Sequence, residues 1–162
     1  MLHTVLVIMN RIADALELLT AQHDEIDSLV AEISTSSSPS VRDQTIHELA
    51  EKLSIHLAME QELLYPAVGS TLSDEVRTEL MAEHAEIKRV LADLLWLESE
   101  DTRFARKLVA LTSLLAWHTT WQERELFETT AEAMSPDELA DLGAQLNGYL
   151  ESSTQSVLAN AA

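Results

Sequence analysis

Four successive helical stripes in this chain each give one inward position to a histidine: His23, His56, His84 and His118. An imidazole buried among leucines costs free energy unless it finds a partner. Four such costs converging on one core point to a shared partner, and the simplest is a pair of metal ions. Two of the histidines are also followed by a carboxylate, Glu60 four residues after His56 and Glu123 five after His118.

The stripes themselves set the fold class. Ile12, Leu16, Leu19, His23, Ile26, Val30 and Ile33 keep a 4-3-4-3-4-3 spacing that predicts a first helix from about Arg11 to Ile33, ended by the Ser/Thr/Pro run from Ser34 to Ser40. A second stripe, Ile46, Leu49, Leu53, His56, Glu60 and Leu63, stops near Pro66 and Gly69. The third, Leu80, His84, Ile87, Leu91 and Leu94, begins behind Ser73 as N-cap, and the fourth, Phe104, Leu108, Leu111, Leu115, His118 and Gln122, behind Asp101. A fifth helix is expected from the Ser-Pro-Asp-Glu sequence at Ser135 to Glu138. Short loops between long amphipathic helices predict an all-α, antiparallel up-down-up-down four-helix bundle with an additional C-terminal helix. At about 1.5 Å rise per residue the four histidines come level, near one end of the bundle.

Composition narrows the chemistry. The chain of 162 residues has no cysteine, so thiolate zinc sites, iron-sulfur clusters, disulfides and cysteine nucleophiles are excluded, and any metal is held by nitrogen and oxygen. A net charge of -18 repels phosphate backbones and anionic lipid headgroups, so neither nucleic acid nor a membrane is expected as partner. The apolar run at residues 2–9 is too short to span a bilayer and lacks a basic leader and a cleavage site. Residues 1–10 are read as an extension and 11–158 as the bundle; the expectation is a cytoplasmic protein, monomeric or weakly dimeric.

Residues i and i+4 share a helix face, so His56 and Glu60 offer an imidazole and a carboxylate to the same ion. Nitrogen and oxygen donors of this kind suit iron, manganese or zinc. Around the fourth helix the spacing leaves two choices for a second carboxylate-like ligand: Gln122 at i+4, neutral and weak, or the acid Glu123 at i+5, about 140° round an ideal helix.

The runs ALELLTAQHDEI, HLAMEQELLYPAV, AEHAEI and WHTTWQERELF, in this order and spacing, resemble the four helices of the hemerythrin-like, or HHE, family of non-haem di-iron bundles, over roughly residues 12–130. The resemblance implies two non-haem irons, oxo- or hydroxo-bridged, with His23 and His56 on one, His84 and His118 on the other, and Glu60 and Glu123 spanning both. Oxygen-carrying members have His-x3-Glu on the second helix and His-x4-Asp on the fourth, which favours Glu123 over Gln122. They also have His-x3-His on the third helix, where this chain has Leu80 at the first position. The lost nitrogen argues against reversible oxygen carriage. It favours a reactive site for hydrogen peroxide, O2 or NO, with catalase- or peroxidase-like activity in oxidative or nitrosative stress defence. The alternative is an oxygen- or iron-binding sensor or storage protein without turnover.

Other candidates have plainer readings. His47 falls off its stripe and His3 lies in the extension. Trp96, Trp117 and Trp121 are expected as packing, Tyr65 and Phe127 as matching helix-end packing nine residues after His56 and His118, Lys88 as a solvated side chain, and Glu25, Glu62, Glu83 and Glu125 as solvated faces.

Overall fold

A computed structural model describes residues 13–69 and 71–160 and is helical throughout, with no strand among the described residues. Helix α1 is Ala15–Thr35. Helix α2 is built of Pro39–Met59, a π-helical turn at Glu60–Leu64, and Tyr65–Ala67. Helix α3 is Asp74–Leu95. Helix α4 is built of Thr102–Trp121, a second π-helical turn at Gln122–Leu126, and Phe127–Ala133. Helix α5 is Pro136–Asn160. The first four close a bundle, α1 on α2, α2 on α3, α3 on α4 and α4 on α1, and α5 lies along α1 and α2.

Local chemistry sets where each helix begins. Asp14 accepts from the N–H groups of Leu16 and Glu17 while the Glu17 carboxylate accepts from the Asp14 N–H, a reciprocal cap that starts α1 at Ala15, four residues later than the stripe alone predicts. Ile12 and residues 1–10 lie outside the described residues. Ser38, Ser73 and Asp101 cap α2, α3 and α4, and Ser135 exchanges hydrogen bonds with Glu138 at the start of α5. The Ser/Thr/Pro run therefore both ends α1 and opens α2, with Pro39 in the first turn, where its missing N–H costs nothing.

The apolar interior is split into two layers. One holds Ile26, Leu29, Ile33, Leu49, Leu53, Ile87, Leu94, Leu111 and Leu115 among others. The other holds Ala15, Leu19, Met59, Leu64, Tyr65, Leu80, Leu126, Phe127, Leu142 and Leu146. The four histidines fall between them along their helices, so the polar residues form an internal layer rather than one end of the bundle. Burial of the flanking side chains, worth about 1.5–3 kcal/mol each, holds that layer in place. Helix α5 contributes Leu142 and Leu146 and approaches closely through Gly143, where a Cβ would lie 2.5 Å from the Ala13 carbonyl oxygen.

Candidate metal centre

Each histidine of the internal layer sits on a different helix, and all four are at most 2% exposed. Glu60, fully buried, reaches into the middle of them. Its Oε1 lies 3.1 Å from His56 Nε2 and 4.0 Å from His23 Nε2, and its Oε2 lies 3.0 Å from His84 Nε2 and 3.3 Å from His118 Nε2. One oxygen thus faces the α1/α2 pair and the other the α3/α4 pair. The ring centroids repeat this pairing, 5.0 Å between His23 and His56 and 5.2 Å between His84 and His118, against 6.0 Å across pairs.

The outward ring nitrogens are all engaged. Nδ1 of His56 donates to Gln22 Oε1 at 2.9 Å, Nδ1 of His118 to Glu83 Oε1 at 2.6 Å, and Nδ1 of His23 to Glu123 Oε1 at 2.8 Å; Nδ1 of His84 meets Gln61 Nε2 at 2.8 Å. Where an imidazole gives its Nδ1 proton outward, Nε2 is left as a lone pair, the tautomer a metal takes. Inside, Nε2 of His23, His56 and His118, Oε1 of Glu60 and Oε1 of Gln122 are buried with no hydrogen-bond partner. Orphaned polar atoms at this density are costly in a packed protein. His23, His56, Glu60 and His118 bring one donor atom each to within 4.8 Å of one another, so these residues fit a bound cation.

The contacts follow an internal repeat. Gln22-His23 and Glu83-His84 occupy equivalent places on α1 and α3, each residue before the histidine bonding the imidazole of the next helix. His56-x3-Glu60-Gln61-x3-Tyr65 is matched by His118-x3-Gln122-Glu123-x3-Phe127, and both π-helical turns begin at the residue four after the histidine. In them the N–H of Tyr65 bonds the Glu60 carbonyl and that of Phe127 the Gln122 carbonyl. The extra residue per turn rotates Tyr65 and Phe127 back toward the interior, a common use of such turns beside functional sites. Phe127 stacks on His23 at 5.8 Å and 4°, while Tyr65 lies over His84 at 5.6 Å.

The halves differ where chemistry is concerned. The Tyr65 hydroxyl lies 3.0 Å from His84 Nε2, donates to Glu60 Oε2 at 3.3 Å and accepts from Gln122 Nε2 at 3.1 Å, whereas Phe127 brings no polar atom. In the metal-free chain burial opposes charge on Glu60, but His56 and His118 outweigh it and hold the carboxyl well below its usual range. Burial depresses His56, partly offset by Glu60. On His118 burial acts downward too, yet Glu60 and Glu83 carry it up to about 9. Burial, reinforced by the Glu60 charge, pushes the Tyr65 phenol up.

The layer gathers His23, His56, Glu60, His84 and His118 but does not bring Glu123 among them. Its carboxylate stands on the outward nitrogen of His23 with 41% of the side chain exposed, and Gln122, fully buried, holds the inward position. The reason is the helix: the Gln122 N–H still bonds the His118 carbonyl, so His118 and Gln122 share a face and Glu123 is turned away from it. Glu83 is not solvated, since 10% of its side chain is exposed and it holds His118. Gln22, Gln61, Glu83 and Tyr65 were not legible as site residues from the stripes. Extending the match already seen between Tyr65 and Phe127, nine residues after His56 and His118, would also have aligned Gln122 with Glu60.

These features define a helical bundle with a buried cation-binding layer. The chain belongs to the Hemerythrin HHE cation binding domain family, whose model matches residues 14–130. It is similar in structure to a Hemerythrin HHE cation binding domain-containing protein from Mycobacterium kansasii, at 26% identity over 90% of each chain and a TM-score of 0.79. A DNA nickase from Nostoc sp. is 23% identical over 122 residues, which is 75% of this chain and 35% of that protein. This chain therefore spans about a third of that relative's length. Among the described residues, no helix is long and apolar enough to cross a membrane.

Proposed function

We propose that this protein is a non-haem di-iron protein that binds and turns over a small oxidant, with hydrogen peroxide as the first choice and O2 or NO as related ligands, in defence against oxidative or nitrosative stress. The observation that carries this reading is the division of the Glu60 carboxylate, one oxygen toward His23 and His56 and the other toward His84 and His118. A carboxylate placed between two imidazole pairs suits two ions sharing one bridge. Bound iron would supply the redox change and the open positions needed to convert two hydrogen peroxide molecules into two of water and one of O2.

The residues of the chain support that chemistry in separate ways. His23 and His56 turn their Nδ1 protons outward to Glu123 and Gln22 and so present Nε2 lone pairs inward, while His118, oriented by Glu83, gives up its extra proton when a cation binds. The Tyr65 hydroxyl holds a proton beside His84 and Glu60 in the buried layer. Phe127 and the two apolar layers keep bulk water away. With Gln122 in place of a second inward acid, the layer has fewer anionic donors than two ions would need, which leaves room for an exogenous ligand. The net charge of -18 disfavours contact with a phosphate backbone, so the nickase activity of the Nostoc relative is not carried over.

The test is protein prepared with ample iron, analysed for metal per chain and then mixed with peroxide on an oxygen electrode. Two irons per chain with rapid O2 evolution, both lost in His56→Ala, are expected. Two irons without evolution, together with a reversible O2-dependent absorption band, would move the protein to the binding or storage class.

A further inference from the structure

We propose that Gln61 is a positioning residue that keeps His84 out of the ligand set until its amide turns, so that the centre fills in two unequal steps. This rests on the metal-centre reading above. Of the four inward Nε2 atoms, those of His23, His56 and His118 are without a hydrogen-bond partner, and that of His84 is the exception. The same three histidines, with Glu60, make up the set of donors close enough to hold one ion.

The exception traces to the outward side of the ring. His23, His56 and His118 face an oxygen at Nδ1, which therefore carries the proton. His84 faces the Gln61 NH2 group at 2.8 Å, so its Nδ1 accepts and the ring proton sits on Nε2, pointing at Glu60 Oε2 and the Tyr65 oxygen, each 3.0 Å away. A protonated Nε2 cannot ligate.

What orients the two amides differs. Gln22 gives its NH2 to the Met59 sulfur at 3.7 Å, leaving its oxygen for His56. Gln61 gives its oxygen to the Lys88 ammonium at 3.5 Å, leaving its NH2 for His84. Recruiting His84 requires the Gln61 amide to turn, Lys88 to let go and the ring proton to move from Nε2 to Nδ1. The first ion meets none of these barriers at His23 and His56.

The tautomers are read directly by long-range proton–nitrogen correlation on metal-free protein with labelled histidine at alkaline pH. The expected result is a proton on Nδ1 of His23 and His56 and on Nε2 of His84. In Gln61→Glu the carboxylate accepts from Nδ1, and the His84 proton should move there; Lys88→Met, an exposed position away from the core, should move it in the same direction. Cobalt(II) titration supplies the second readout. Two steps at least 10-fold apart are expected for the native protein, with Gln61→Glu narrowing the gap about 10-fold, the lower end of the usual effect of a residue behind a ligating histidine. A proton on Nδ1 of His84 in the native protein, or a native step spacing retained in Gln61→Glu, overturns the role of Gln61 while leaving the metal centre standing. No cobalt uptake by the native protein would instead remove the metal centre and this proposal together.

Discussion

Glu83 accepts the Nδ1 proton of His118 at 2.6 Å, on the side of the ring away from Glu60. The two residues sit on neighbouring helices α3 and α4, so one contact both orients the His118 imidazole and ties the two helices together. Removing its charge in Glu83→Gln keeps a hydrogen bond but weakens the pull on the imidazole. Metal affinity is expected to fall about 10–100-fold, measured by competition with a chelator of known strength, while the fold by circular dichroism stays unchanged. Native affinity in this variant would show that His118 needs no carboxylate behind it.

The pH dependence of the metal-free protein follows from two histidines shifted in opposite directions. His118 is raised to about 9, so its stabilising contribution is complete below its ordinary 6.5 and fades as pH rises through about 9. His56 is lowered, so its contribution is present above 6.5 and fades as pH falls. Glu60, lowered as well, contributes above its ordinary 4.5 and loses this on further acidification. Urea midpoints of metal-free protein should therefore peak near neutrality and decline on both sides. At pH 8 His118 still carries its extra proton, and metal binding should release about one proton from it, seen as buffer-dependent calorimetric heats. Buffer-independent heats would rule that proton out.

Two glycines of α5 give a matched pair for stability. A Cβ on Gly143 would lie 2.5 Å from the Ala13 carbonyl oxygen and 2.8 Å from the Asp14 carbonyl carbon, backbone that cannot step aside cheaply, whereas on Gly148 it would meet nothing within 4 Å. Gly143→Ala is expected to cost about 1–3 kcal/mol by pushing α5 off the start of α1. Gly148→Ala, in an exposed helical position, should add about 0.5–1 kcal/mol. Denaturant unfolding of both variants checks the signs, and equal effects would mean that α5 does not dock through Gly143.

The helical stripes carried the fold and the four histidines because leucine and histidine at 3-4 spacing leave few alternatives to a bundle with an imidazole layer. They also carried Glu60, which lies on the His56 stripe. They did not reach Gln22, Gln61 and Glu83, which flank stripe residues by one position and read as surface until the neighbouring helix is brought alongside. Nor did they reveal the π-helical turns, since a widened turn leaves no signature in apolar spacing. Tyr65 falls nine residues after His56, half a turn off the stripe in an ideal helix, and enters the layer because the turn at Glu60–Leu64 rotates it there. The His-x4-Asp spacing of the oxygen carriers points to Glu123, whereas the helix places Gln122 inward and Glu123 on the outer nitrogen of His23.

Gln122 offers the sharpest test of that geometry. Its Oε1 is buried without a partner and its Nε2 donates to the Tyr65 hydroxyl, so Gln122→Glu places a second carboxylate beside Glu60 and removes a donor. Without metal this should destabilise the protein by about 1–3 kcal/mol, the usual cost of a buried polar group left uncompensated. With metal the added charge is neutralised, so the rise in melting temperature on loading should exceed that of the native protein, because ligand binding to the folded state alone sets the size of that rise. Glu123→Gln, altering a partly exposed side chain behind His23, should leave metal-free stability nearly unchanged and lower affinity modestly. Thermal melts with and without metal separate the cases. If Gln122→Glu leaves both melts unmoved while Glu123→Gln abolishes the shift on loading, Glu123 is the inward ligand and helix α4 is rotated relative to the arrangement described above.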